Sequence, residues 1–449
     1  MRGISVKKAA ELVGGALVGG AGEQEILGVV IDSRNVEEGF AFAALSGERV
    51  DGHSFVAKAF EMGAVCCIVR HECPEARGCQ IVVSDVAKAM AKLAEEYRKT
   101  LNIPVIGITG SVGKTTAKEM VSAVLSQKYN VLKTDKNFNN ELGVPLTIFR
   151  IEPEHEIAVI EMGISGFGEM SRLARMVRPT AAVYTLIGHA HLDALHDRTG
   201  VFRAKTEMLE YMRDDATVFL NADDDLLSTC DCRQNKVLYG LCDNADVKAE
   251  NITPDGSGGV DCDIVSAEHR IRVHIPFYGQ HMVYAALEGA AVGLKFGLSD
   301  EHIANGIASY QTVGRRANVT DTGFITLVDD CYNANPDSVK CAVDSLTRLH
   351  GRKVCIFGDM LEMGEDKARL HADIGRYAAE RGVSLMLCVG ELSKNTCRAA
   401  EDISALHFQS NAELIQELPK LIEKGDAVLV KASHSMKLEE ISEALKLLK

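Results

Sequence analysis

The chain has 449 residues, 46% of them hydrophobic and 25% charged, which excludes disorder, collagen and a small stapled scaffold. At roughly 150 residues per domain, about three domains are expected. Lys and Arg total 49 against 63 Asp and Glu, a formal charge of −14; this opposes nonspecific attraction to nucleic acid or an anionic membrane, so an anionic ligand needs a local basic pocket.

Residues 1–101 mix short strand-like runs, Gly28-Val29-Val30-Ile31 and Ile81-Val82-Val83, with helical patterns. They end in a charged helix from Val86 to Lys99, before Asn102-Ile103-Pro104. From Pro104 onward strands are predicted at Val105 to Thr109, Ile157 to Met162, Ala181 to Leu186 and Thr217 to Leu220. Helical stretches lie between most of them, the pattern of a largely parallel, helix-covered sheet. After a helical run from Met282 to Phe296 and a polar stretch around Thr312-Val313-Gly314, a further series of strands is predicted at Ile325 to Val328, Lys353 to Phe357, Leu385 to Val389 and Ala427 to Val430. The expected fold class is α/β in three domains: a small α/β N-terminal domain over 1–101, a central phosphate-loop-type, mostly parallel sheet over 102–313, and a Rossmann-like α/β C-terminal domain over 314–449. The thirteen cysteines include no Cys-x-x-Cys pair and read as reduced core residues. With no signal-peptide pattern and no apolar run near the roughly 18 residues of a membrane span, a cytoplasmic protein without membrane insertion is expected.

The most informative segment is Val105-Ile106-Gly107-Ile108-Thr109-Gly110-Ser111-Val112-Gly113-Lys114-Thr115-Thr116. An apolar strand runs through glycines into a helix whose Ala117, Met120, Val121, Val124 and Leu125 recur at helical spacing. Glycines let backbone N–H groups approach phosphate oxygens, the helix start adds partial positive charge, Lys114 supplies a mobile cation and Thr115 can reach magnesium. The strict G-x-x-x-x-G-K-[ST] pattern fails, because Ile108 stands where it requires glycine. The plain alternative, a glycine-rich turn with a chance lysine, is disfavoured by the flanking strand and helix. A dinucleotide fingerprint fits less well, and no Asn-Lys-x-Asp is present to read guanine.

Other residues have both a chemical and a plain reading. Glu161 ends a strand-like run, where ligands of open α/β sheets bind; it suits a metal ligand, against a solvated strand-end carboxylate. His189 and His191 on an extended segment point the same way, which suggests zinc, but no third soft ligand supports it. Lys205 on an amphipathic helix reads as a solvated charge. Asn333, Asn335 and Pro336 suit a turn and equally a recognition loop. Lys431 and Ser433 follow a strand and are expected to share a cleft with Arg316.

Thr109 to Thr116 resembles the shortened phosphate loop of the Mur ligases, ATP-dependent amide-forming enzymes of peptidoglycan precursor synthesis. Further motifs extend the resemblance in order: Asp32-Ser33-Arg34 with Gly47 and Asp51-Gly52-His53, Asn137 to Leu146, Tyr332 to Pro336, Gly358 to Gly364 and Lys431 to Met436. The resemblance is greatest to the family member that adds D-alanyl-D-alanine. It implies that Gly110, Ser111, Val112, Gly113, Lys114, Thr115 and Thr116 hold ATP, with Arg316 reaching it from the third domain and Asp330 on the ribose side. Arg315 beside Arg316 leaves that register open by one residue. It implies two Mg2+ ions held by Thr115, Glu161, His191 and a carbamylated Lys205, with His189 structural. Ser33, Arg34, Asn137, Asn140, Asn333, Asn335, Lys431 and Ser433 would contact substrate, and Lys114, Lys205 and His191 would serve catalysis. The family segment matching Gly279 to Leu287 usually has Asn where this chain has Met282 and Ala285, so the adenine contacts are open.

The implied function is addition of D-Ala-D-Ala to UDP-MurNAc-tripeptide through an acyl phosphate, by a cytoplasmic monomer. The third residue of the tripeptide, a diamino acid or lysine, is open. Alternatives are another Mur or folylpolyglutamate-type ligase, and an ATP-binding regulatory paralogue without turnover.

Overall fold

The apolar runs become strands of three separate sheets in the computed structural model, which describes residues 1–20, 22–47, 50–255, 259–276, 279–312 and 314–449. Val313, the last residue of the expected central domain, lies outside the described residues. The N-terminal sheet has the order Ala16–Val18, Cys79–Val82, Cys66–Val69, Phe40–Ala43, Gly28–Val30, with only the first pair antiparallel. Its closing helix, Val86–Thr100, starts at Asp85, whose side chain accepts from Lys88 N. Val86, Ala89, Met90, Leu93, Ala94 and Tyr97 are buried along one face, the i, i+3, i+4 periodicity of an amphipathic helix. That face docks onto the central domain: Tyr97 donates to Ile151 O at 2.5 Å and the buried Arg98 to Val177 O at 2.9 Å.

The central sheet runs Arg270–Ile275, Val260–Val265, Val247–Pro254, Asn235–Gly240, Thr217–Asn221, Ala181–Tyr184, Val105–Thr109, Ile157–Glu161, Val131–Lys133. The last seven of these pair in parallel, with helices supplying the crossovers as far as Thr217–Asn221 and helix-free connections leading on to Asn235–Gly240 and Val247–Pro254; Val247–Pro254, Val260–Val265 and Arg270–Ile275 then form an antiparallel meander. The alternation Arg270-Ile271-Arg272-Val273-His274-Ile275, exposed then buried throughout, carries the period of two that a strand with one wet face requires.

The C-terminal sheet has the order Asn318–Asp321, Thr326–Asp329, Ala427–Lys431, Lys353–Gly358, Leu385–Val389, Ser404–Phe408, parallel except for its first strand. One apolar cluster contains buried residues from all three units, among them Ile81, Met176, Leu192, Val343 and Met360. Among the described residues no helix is long and apolar enough to cross a membrane.

Candidate active site

In the central sheet, Val105–Thr109 lies between Ile157–Glu161 and Ala181–Tyr184, and the strand order reverses there. A crevice opens beyond the carboxyl ends of strands at such a reversal. Two backbone bonds tie its walls together, Thr185 N to Thr109 O at 3.0 Å and Ser111 N to Leu186 O at 2.7 Å. Gly113 precedes the helix Lys114–Leu125 at φ 88° and offers no side-chain cap. A side chain at that φ would be strained, and the N–H groups of the helix's first turn are left to an anion. Lys114 folds back to donate to Gly110 O at 2.7 Å. Burial pushes its ammonium below the ordinary range; Glu161 opposes that shift and Arg316 adds to it.

Glu161 is 1% exposed, a cost that its bonding offsets. Its carboxylate accepts from Thr115 Oγ1 at 2.9 Å and from Asn139 Nδ2 at 2.7 Å, while its backbone N–H donates to Thr134 Oγ1 at 3.0 Å. The asparagine beside Glu161 is therefore Asn139. Asn137 is exposed, and Asn140 accepts from Gly143 N at 2.9 Å at the start of the helix Gly143–Phe149. Three asparagines in four residues marked the loop, but local pattern does not say which one turns inward.

The segment after Ala181–Tyr184 is not extended through both histidines, because His191 adopts φ 54°. The imidazoles consequently find different partners: His189 Nδ1 lies 3.2 Å from Asp337 Oδ2, and His191 Nδ1 meets Glu362. Burial pushes His191 below its ordinary range; Glu362 opposes this, whereas Lys205 and Lys114 add to it. Lys205, on the helix Arg198–Thr206, is 1% exposed rather than solvated. Burial, reinforced by Lys114, pushes its ammonium well down. Lys114 thus lies within reach of the charges of Glu161, His191 and Lys205, and His191 within reach of Lys205.

The C-terminal unit adds a second wall. Arg315 is held by Asp329 and Glu443, each at 2.6 Å, whereas Arg316 lies over the Tyr332 ring at 3.9 Å and contributes to the field at Lys114. Lys431 is 3% exposed and donates to Asp330 Oδ2 at 2.6 Å and Asn333 O at 2.9 Å. Ser433 Oγ accepts from Leu361 N at 2.9 Å. Asn335 caps the helix Pro336–Leu346, its side chain accepting from Ser338 N while Ser338 Oγ answers its own N–H. Asn335→Ala should cost about 1 kcal/mol of helix stability, read as faster hydrogen exchange in the first turn; Asn335→Asp should retain the cap.

Ser33 and Arg34 sit on the turn Ser33–Asn35 of the N-terminal unit. Ser33 is buried, and the exposed Arg34 pairs with Asp32, whose carboxyl its hydrogen bonds hold at about 2. Met282 and Ala285 are buried in the apolar core behind the central sheet.

Among the described residues no group of three or more His, Cys, Asp or Glu is arranged to hold a metal. The Thr115 hydroxyl and Glu161 carboxylate are hard oxygen donors, and magnesium commonly takes one or two such ligands and completes its shell with water and phosphate. Glu362, Asp337 and Asn139 were not singled out by sequence; each acts through a contact between segments far apart in the chain.

Comparison with known proteins bears on the whole chain. Residues 25–107 match the model of the Mur ligase family catalytic domain, 108–293 the Mur ligase middle domain, and 314–434 the Mur ligase glutamate ligase domain. The UDP-N-acetylmuramoyl-tripeptide--D-alanyl-D-alanine ligase of Bacillus subtilis is 36% identical over 448 residues, with 97% of each chain covered. That of Escherichia coli is 33% identical, with 93% of each covered. A crystal structure of MurF from Acinetobacter baumannii superposes with a TM-score of 0.91 at 30% identity over 99% of both chains. MurF from Thermotoga maritima in complex with ADP gives 0.81 at 27% identity, over 94% of this chain and 97% of that one.

Proposed function

The chain belongs to the Mur ligase family, and on that premise we propose how its residues divide the work of joining D-alanyl-D-alanine to UDP-N-acetylmuramoyl-tripeptide. It is an ATP-dependent ligase forming that amide bond, a step of peptidoglycan precursor synthesis. The observation that supports the residue assignment is the placement of Lys114 and Thr115 at the start of the helix beyond the strand-order reversal, with Thr115 bonded to the buried Glu161 at 2.9 Å and the charges of Glu161, His191, Lys205 and Arg316 each coupled to that of Lys114.

A carboxylate resists amide formation because its oxygen is a poor leaving group. In the proposed sequence the tripeptide's terminal carboxylate oxygen attacks the γ-phosphorus of ATP, giving an acyl phosphate and ADP. The amine of D-Ala-D-Ala then attacks the acyl carbon, phosphate departs with the acyl C–O bond pair, and the amine loses a proton. The first-turn N–H groups after Gly113 would hold the phosphates, with Lys114 and Arg316 countering charge on the oxygens of the transferred group. Magnesium, held by Thr115, Glu161, His191 and a carbamylated Lys205 as two ions, would supply further charge neutralisation and orientation. Asp330, fixed by Lys431 and by Ala317 N at 3.1 Å, is aimed by its own bonds and would meet the ribose. Residues 1–101 would carry the uridine nucleotide through Ser33 and Arg34, residues 102–313 ATP, with Asn137 and Asn140 at the tripeptide, and residues 314–449 the dipeptide through Asn333, Asn335 and Ser433.

Phosphate release should require ATP, Mg2+, the uridine-linked tripeptide and D-Ala-D-Ala together, with omission of any one reducing it to background. Release that continued without the dipeptide, or did not respond to the tripeptide, would defeat the assignment.

A further inference from the structure

The helix Pro336–Leu346 begins where the Asn333 to Asn335 loop ends, and Asp337 stands in its first turn. An acidic residue there is ordinarily explained by the helix dipole. This carboxylate has another occupation, since capping is already performed by Asn335 and Ser338. Asp337 Oδ2 crosses to the central unit and accepts from His189 N at 2.6 Å, with His189 Nδ1 at 3.2 Å from the same oxygen. A Cβ at Gly188 would fall 2.3 Å from that oxygen, so the carboxylate fills the space that any larger residue at 188 would occupy. On its other side Gly188 is held by the phosphate loop, Ser111 Oγ donating to Gly188 O at 3.3 Å. A second pair of bonds crosses nearby, Leu192 N to Glu362 O at 2.9 Å and Gly364 N to Asp193 Oδ1 at 2.7 Å.

The chain of contact is therefore short: Ser111 of the phosphate loop, Gly188 and His189, Asp337, then the loop bearing Asn333 and Asn335. We propose that Asp337 is a positioning residue which couples occupation of the phosphate loop to binding of the acceptor dipeptide, by gripping the Gly188-His189 turn through the space glycine leaves open. The inference rests on the reading above that the Asn333 to Asn335 loop receives D-Ala-D-Ala. Such coupling is reciprocal: if nucleotide tightens dipeptide binding, dipeptide tightens nucleotide binding by the same factor.

The test measures D-Ala-D-Ala affinity of the full chain with and without a non-hydrolysable ATP analogue and Mg2+. Wild type should bind the dipeptide about 5–150-fold tighter with nucleotide, the usual span of such couplings. D337A should bring that ratio close to one and raise the dipeptide KM, leaving nucleotide affinity in the absence of dipeptide unchanged. G188A should do the same by displacing the carboxylate. D337N, which keeps an acceptor for His189 N at the same size, should retain part of the ratio and is informative should D337A fold poorly. H189A should retain most of it, because the backbone N–H remains. A wild-type ratio kept by D337A and G188A, even with lowered melting temperatures, would overturn the proposal while leaving the ligase reading intact. Wild type that binds no dipeptide in either state would overturn the reading of the loop, and the coupling with it.

Discussion

Lys114→Ala is expected to reduce ATP-dependent amide formation by at least about 10²–10³-fold, the loss typical of removing one group that meets charge developing in a transition state. The lysine stands at the first position of a helix whose N-terminus has no side-chain cap, and in a loose phosphoryl transfer there is little for the protein to do besides place positive charge and hold the phosphates. The fold should survive. Lys114 is desolvated beside two further cations, Arg316 and Lys205, so its removal relieves repulsion instead of emptying a core position. Product formation and thermal melting measured on the same preparation check both halves. Near-normal turnover in the variant would defeat the phosphate-loop assignment; a collapsed melting transition would show that Lys114 holds the fold.

Local pattern determines some parts of this molecule and is silent on others. The strand Val105–Thr109 and the helix Val86–Thr100 form where apolar spacing and punctuation place them, since the continuous burial of the one and the periodic burial of the other are written in consecutive residues. The meander from Val247 to Ile275 is not visible in a strand-helix alternation, because antiparallel neighbours need no helix between them; only Val260–Val265 and Arg270–Ile275 alternate regularly, Val247–Pro254 losing the pattern after Glu250. Lys205 illustrates a different limit. Its helix leaves one face to solvent and one to the crevice, and only packing against other segments decides which face a lone lysine shares. His191 shows a third: its left-handed backbone arises from the tertiary environment, so an extended reading aimed its ring wrongly. Asn139, Asp337 and Glu362 belong with these, since each is given a partner by the docking of segments that no short window contains.

Lys205→Ala should lower turnover by more than the roughly 10–100-fold typical of losing a group that only orients a metal's ligands, and added acetate or formate should restore part of it. An ammonium at 1% exposure is costly to keep charged, and burial with Lys114 nearby favours the free amine. A free amine is the form that adds carbon dioxide: R–NH2 + CO2 gives R–NH–COO⁻ and a proton, converting a repelled cation into an anion that Lys114 attracts. The exchange of sign gives this position a reason to be lysine in a crevice already rich in positive charge. In the alanine variant the space vacated by the side chain can admit a short carboxylate in place of the carbamate. A carbon-13 carbonyl resonance from labelled bicarbonate should appear in the wild-type chain and be absent from the variant. Activity that was indifferent to the substitution, or a loss that no small carboxylate relieved together with no labelled resonance, would remove the carbamate from the site.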